Sequence, residues 1–220
     1  MKKARVFDII GPRMIGPSSS HTAGAARLGM IARKLAGGSV KKANVVLYES
    51  FATTGRGHGT DRAIAGGLLG FSPEDERLRN SFELAKRTGI DIKFEFSDKD
   101  SVHPNTAFFT VENESGEIME MLGASIGGGS VEVKEVDGME VSFFCDYPTL
   151  LVFHTDMPGV ISKITSVLAE EKINIAFMKV FRTSRNKDAS MVIETDEEVP
   201  KELLPKIMEC AQGIKRVSTI

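Results

Sequence analysis

The sequence predicts an α/β (α+β) protein of two domains, and three observations carry that expectation. Its 220 residues, 41% of them hydrophobic, are enough for two ordinary cores. Residues 1–147 alternate strand-like and helix-like segments. Residues 148–220 read β, α, β, β, α, β, the order of a ferredoxin-like sandwich. Tyr147-Pro148 marks the boundary between them.

In chain order, a short basic start leads into Val6-Phe7-Asp8-Ile9-Ile10, a strand- or helix-like segment. Gly16-Pro17 then turns the chain. Over residues 22–35, Ala23, Ala26, Met30, Ile31 and Leu35 recur at helical spacing, so a Ser or Thr just before them is expected to cap a helix. Gly37-Gly38 stops it. Residues 43–51 are rich in β-formers and predict a strand ending in a glycine loop, Gly55-Arg56-Gly57-His58-Gly59-Thr60-Asp61. A short helix over residues 62–69 follows, capped by Thr60 or Asp61. Ser72-Pro73-Glu74-Asp75-Glu76 opens another, with Leu78, Phe82, Leu84 and Ala85 facing inward. Two strands, 90–96 and 107–112, flank a loop containing His103-Pro104-Asn105. Residues 119–126 form a strand entering Gly127-Gly128-Gly129, followed by strands 131–136 and 139–144. The triple glycine fits a loop closing over a site and a bulged strand crossing equally well.

In the second domain, residues 149–154 form a strand. Asp156-Met157-Pro158-Gly159 starts a helix with an Asp cap and an early proline, and Val160, Ile161, Ile164, Val167 and Leu168 give its apolar face. Residues 173–183 and 189–195 are the next strands. Val199-Pro200 opens a second helix, and residues 214–220 form a last strand.

Composition excludes several classes. Lys plus Arg (28) nearly balance Asp plus Glu (30), so no global field recruits nucleic acid or an acidic membrane. No apolar run approaches the ~20 residues of a membrane span, and the N-terminus lacks a signal-peptide core. A cytoplasmic protein is expected. Cys145 and Cys210 stand alone and match neither a disulfide framework nor a zinc site.

The chemistry concentrates in Ser18-Ser19-Ser20-His21-Thr22, whose hydroxyls and imidazole stand where helix N–H groups are free, a setting that suits an anion. On spacing alone, a capping loop without a ligand is equally open. His58, between two glycines, has no neighbour to bury it and is expected to be exposed and functional.

Gly16-Pro17-Ser18-Ser19-Ser20-His21-Thr22 resembles the signature of the iron–sulfur L-serine dehydratases, in the part that some bacteria encode as a separate beta subunit. Val6 to Ile10, Gly57-His58-Gly59-Thr60-Asp61, His103-Pro104-Asn105-Thr106-Ala107 and Ile126-Gly127-Gly128-Gly129-Ser130 fall in that family's order. The likeness covers residues 1–147, whose fold is similar to the allosteric substrate-binding domain of phosphoglycerate dehydrogenase. His154-x-Asp156-x-Pro158-Gly159 with Asn174-Ile175 resembles the ACT domain, a regulatory amino-acid-binding module that pairs edge to edge, over residues 148–220.

The resemblance implies conversion of L-serine to pyruvate and ammonia, with a 4Fe-4S cluster as Lewis acid. Such a cluster takes three or four thiolates, so two cysteines imply that a partner alpha subunit holds it and that no metal binds this chain. His21, His58 and His103 become the catalytic candidates. Ser18, Ser19, Ser20, Thr22 and Asn105 become the substrate-binding ones. His154, Asp156, Gly159 and Asn174 would hold a regulatory ligand, although Asp156 lacks amide donors for a carboxylate, which leaves an ACT domain that only dimerises open. A homodimer through the ACT or N-terminal domain is expected. The alternative class is a stand-alone amino-acid sensor without catalysis.

Overall fold

Alternation decides the centre of the first sheet. In strand β1 (Lys42–Tyr48), Ala43, Val45 and Leu47 are fully buried and their neighbours are not, the pattern of a strand packed on one face. The computed structural model describes residues 14–220, and the chain divides into two units, Met1–Asp137 and Gly138–Ile220. The segment Val6 to Ile10 lies outside the described residues.

In the first unit β1 runs parallel to β2 (Asp91–Ser97) and antiparallel to β3 (Thr106–Glu112). β4 (Ile118–Gly127) and β5 (Ser130–Val136) extend the sheet antiparallel, giving the order β2-β1-β3-β4-β5. Helix α1 (Ala25–Leu35) packs on β3 and β4. Between β1 and β2 come α2 (Glu49–His58), α3 (Thr60–Leu68), a 3-10 turn (Glu76–Asn80) and α4 (Ser81–Thr88). Helices α1 and α3 meet backbone to backbone: a Cβ on Gly67 would stand 2.1 Å from the Ala26 carbonyl, and one on Gly29 would stand 2.4 Å from that of Ile64.

Three local expectations are corrected. The strand predicted over residues 43–51 ends at Tyr48, and the predicted glycine loop is helical as far as His58. Only Gly59, left-handed at φ 72°, interrupts it, and it supplies the start of α3 in place of a Thr60 or Asp61 cap. The physical reason is packing, because Gly55 faces the Thr60 side chain so closely that a Cβ there would stand 3.3 Å from Thr60 Cβ. The helix predicted from Ser72 begins later, with Asp75 accepting from the Arg77 N–H. Phe82 is 40% exposed rather than inward. Ser81 and Ala85 take the inward positions, and the Ser81 hydroxyl donates to the Arg62 carbonyl at 2.7 Å.

Gly127, Gly128 and Gly129 all have positive φ and turn β4 into β5 as a tight hairpin, with Gly127 opposite Ser130. Paired left-handed residues match the twist of the flanking strands. Arg27 on α1 holds this turn, its guanidinium donating to the Gly129 carbonyl at 3.0 Å.

The second unit begins with β6 (Met139–Phe143) and then forms the predicted βαββαβ run: β7 (Thr149–Thr155), α5 (Val160–Glu170), β8 (Ile175–Arg182), β9 (Asp188–Thr195), α6 (Leu203–Glu209) and β10 (Ile214–Thr219). Its sheet order is β10-β7-β9-β8, that of a ferredoxin-like sandwich. Leu150, Val152, Ile164, Leu168, Met191, Ile193 and Ile207 form the centre of one core against α5 and α6.

Candidate active site

The serine run caps a helix by an unusual route. Ser18 is extended, and its Oγ accepts from the His21 N–H at 3.1 Å. Ser19–Gly24 then form one wide π-helical turn before α1, a form associated with functional sites. Gly24 permits it, because any side chain there would land 2.0 Å from Ser125 Oγ on β4. The turn drives His21 and Thr22 inward, to 9% and 4% exposure, and leaves Ser19 and Ser20 half-buried.

The His21 ring is held from both ends. Its Nε2 lies 2.9 Å from Thr54 Oγ1 and 3.2 Å from Ser50 Oγ, and its Nδ1 lies 3.5 Å from Ser18 Oγ. The single Thr54 hydroxyl proton is engaged by the Ser50 carbonyl at 2.7 Å, so Thr54 Oγ1 can only accept from the ring. That places the proton on Nε2 and leaves the Nδ1 lone pair beside Ser18. Phe51 meets the ring edge-on at 5.2 Å, and the exposed His58 lies at 5.0 Å. Burial pulls His21 below the usual imidazole value of 6.5, proximity to His58 lowers it further, and the Ser50 contact opposes both. A neutral imidazole with a lone pair near serine hydroxyls is equipped to accept a proton.

His103 and Asn105 reach this neighbourhood through their loop. The Phe51 N–H donates to the Pro104 carbonyl at 3.3 Å, and the Ser101 N–H donates to Glu49 at 2.8 Å, which docks the loop on the start of α2. His103 Nδ1 accepts from the Asn105 N–H at 3.1 Å. Asn105 is tied to Ser125 in both directions, and its Oδ1 is buried without a partner among the described residues, as are Ser125 Oγ and Thr22 Oγ1. Thus one helix start, α2 and one loop gather the sequence-predicted hydroxyls and imidazoles of the first unit.

In the second unit, His154 is buried, its Nδ1 donates to the Thr155 carbonyl at 2.8 Å, and its Nε2 has no partner among the described residues. The expected Asp156 cap is corrected. Gly159, at φ 93°, begins α5, while the Asp156 carboxylate is drawn to Arg182 on β8 at 3.0 Å. Asn174 is exposed and donates to Asp196 at 2.6 Å. His154 Nε2 keeps open polar capacity, whereas the Gly159 carbonyl accepts from the Lys163 N–H at 3.0 Å and Asp156 and Asn174 are engaged within the unit.

A four-iron cluster does not fit these residues. Both cysteines lie in the second unit, Cys145 and Cys210 being half-buried, and the site of the first unit offers imidazoles and hydroxyls, not thiolates. Among the described residues no three His, Cys, Asp or Glu side chains are placed to hold a metal ion. No helix among them is long and apolar enough to cross a membrane.

Sequence reasoning missed Ser50, Thr54 and Phe51, the residues that position His21. Their signal was the spacing Ser50-x-x-x-Thr54, which places both hydroxyls on one face once the segment is helical. It also missed Ser125.

A hydroxyl-and-imidazole site on an α/β unit, followed in the same chain by a βαββαβ unit, defines the class. The family model described as ACT domain matches residues 148–212, and that described as Serine dehydratase beta chain matches residues 5–88. The probable L-serine dehydratase, beta chain, of Bacillus subtilis is 47% identical over 207 residues, 94% of each chain. The L-serine dehydratase, beta chain, of Peptoniphilus asaccharolyticus is 37% identical over 214 residues, 97% of this chain and 95% of that one. The D-3-phosphoglycerate dehydrogenase of Methanocaldococcus jannaschii is 31% identical over 199 residues, 89% of this chain and 37% of that protein. The chain belongs to the serine dehydratase beta chain family and carries a C-terminal ACT domain.

Proposed function

We propose that this chain is the beta subunit of an iron–sulfur L-serine dehydratase, converting L-serine to pyruvate and ammonia together with an alpha subunit that holds a 4Fe-4S cluster. The observation that carries the reading is His21, buried and neutral, with its Nδ1 lone pair beside Ser18. Residues 1–147 form the dehydratase domain and residues 148–220 the ACT regulatory domain. Ser18, Ser19, Ser20, Thr22 and Asn105 bind and orient the amino acid. His21 handles the proton at Nδ1, with His58 and His103 as the further imidazoles that donate or accept. His154, Asp156, Gly159 and Asn174 surround the regulatory ligand, and the ACT or N-terminal domain pairs two copies in the cytoplasm.

A second reading is favoured by the likeness to D-3-phosphoglycerate dehydrogenase along most of the chain: an amino-acid sensor without catalysis. Anaerobic reconstitution separates the two. The chain, alone and with a cysteine-rich partner, is supplied with iron and sulfide, and pyruvate formation from L-serine is followed. Activity only in the mixture, lost in His21→Ala while the complex still forms, supports the dehydratase. Serine binding by calorimetry with neither complex nor pyruvate leaves the sensor.

A further inference from the structure

Strand β2 closes one end of the first sheet, and its outer edge meets no further strand among the described residues. Its pairing with β1 is unbroken from Asp91 to Ser97, with neither a proline nor a bulge to blunt the open side. The Asp91 N–H donates to the Lys41 carbonyl, on the β1 side. Successive residues of a strand aim their backbone groups at opposite edges, so those of Ile92, Phe94 and Phe96 point outward. The same three side chains share the face that carries α4, where Phe82 meets Phe94 ring to ring at 5.9 Å. That face is incompletely covered, with Phe82 40% and Phe96 37% exposed. Lys93 and Glu95 stand exposed on the opposite face. Lys93 forms no ion pair among the described residues, and Glu95 accepts from the Asn44 side chain through Oε1 alone.

Charge decides how such an edge can meet a second copy of itself. Antiparallel pairing centred on Lys93 sets lysine against lysine and Asp91 against Glu95, and pairing centred on Glu95 sets carboxylate against carboxylate. Like charges directly opposite are destabilising. Centred on Phe94, the pairing sets Lys93 opposite Glu95 of the second copy and, by symmetry, Glu95 opposite Lys93. Asp91 then faces Ser97, Ile92 faces Phe96, and the two Phe94 rings face each other. The charged residues fall at non-hydrogen-bonded positions, where opposed Cα atoms stand about 4.5 Å apart and side chains come closest.

We propose that β2 is an interface between two copies of this chain, paired antiparallel about a two-fold axis at Phe94. The outward backbone groups supply the hydrogen bonds, the apolar row of Ile92, Phe94 and Phe96 is covered, and the two Lys93–Glu95 pairs select the register. The proposal rests on the reading that two copies pair through the N-terminal domain, and not on the serine chemistry.

Sedimentation velocity on the full chain reads the association. The mass is expected to halve in Lys93→Glu and in Glu95→Lys, each of which weakens its own pairing about tenfold or more. A one-to-one mixture of the two is expected to regain the parent's mass, because each variant supplies the charge that the other lacks, a recovery that misfolded chains would not give. Cross-linking then reads the register. Mixed Lys93→Cys and Glu95→Cys chains are expected to form a disulfide-linked dimer under mild oxidation, since opposed Cα atoms lie within disulfide reach, while neither variant alone does. Cys145 and Cys210 are present in all three samples, so any link through them shows in the single variants. A monomeric parent overturns the proposal, as do an unchanged mass in both charge variants, no recovery on mixing them, or a cross-link as strong in one cysteine variant as in the mixture. Pyruvate formation in the reconstituted complex is read separately: unchanged masses with pyruvate reject this edge alone, and halved masses without pyruvate leave it standing while the dehydratase reading fails.

Discussion

His21 is where burial and chemistry meet in one side chain. Its three hydroxyl neighbours solvate it poorly compared with water, and His58 stands near enough to oppose a second positive charge, so its protonation is pushed to lower pH. Stability follows with a definite sign. The unfolded imidazole takes up its proton near pH 6.5 and the folded one only at lower pH, so His21's contribution is whole above pH 6.5 and is lost as pH falls through the folded value. The urea midpoint is therefore expected to drop between about pH 7.5 and about pH 5, and to drop less in His21→Gln. Equal slopes in parent and variant would show that His21 carries none of it. The Ser18 to Thr22 run was legible in the sequence because hydroxyls crowd a helix start there. Its partners were not, because Ser50 and Thr54 face His21 only after the chain has left β1 at Glu49, which takes a positive φ of 42°.

Helix α2 shows why element boundaries escaped. Thr53, Thr54, Gly55 and Gly57 are poor helix formers, and by local preference they make a loop. Tertiary packing overrides that preference: Gly55 admits Thr60, and the threonine hydroxyls return to the Glu49 and Ser50 carbonyls one turn earlier. The strands were legible because alternation needs no partner to be read, as in β1 and β5. Close helix crossing was not, because a glycine that admits a backbone looks the same in sequence as one that turns a loop. Gly67 decides this case. Alanine there places its methyl carbon 2.1 Å from the Ala26 carbonyl and 2.8 Å from the Met30 nitrogen, so α1 and α3 must part. A loss of about 1–3 kcal/mol is expected from such overpacking, read as a lower urea midpoint. Gly57→Ala, with open space around it, serves as the control and is expected to hold or raise the midpoint by improved helix propensity.

For the whole chain the question is which segment folds as a unit. The proposed ACT domain starts at residue 148, and its core draws on residues from Leu150 to Val217, so a fragment of residues 148–220 has what a single cooperative core requires. The unit defined by contacts begins earlier, at Gly138, and the reason lies in β6. The Ser190 hydroxyl on β9 donates to the Glu140 carbonyl, and Lys179 on β8 donates to the Ser142 carbonyl at 3.3 Å and its hydroxyl at 3.2 Å. Ser190 is buried, and loss of its acceptor leaves a hydroxyl to be satisfied by water. These side-chain hydrogen bonds fasten β6 to the ferredoxin-like unit although it is not one of the strands of the β10-β7-β9-β8 sheet and its residues precede the βαββαβ run, which is why periodicity alone placed it elsewhere. Fragments 138–220 and 148–220 are both expected to unfold cooperatively, the longer being more stable by roughly 1–3 kcal/mol, the scale of one or two hydrogen bonds to otherwise unpaired groups. Urea titrations followed by circular dichroism read the difference. Ser190→Ala then tests the cause, since it is expected to narrow the gap between the two fragments. Identical midpoints for 138–220 and 148–220 would make Tyr147-Pro148 the true edge of the folding unit and reduce β6 to a connecting strand.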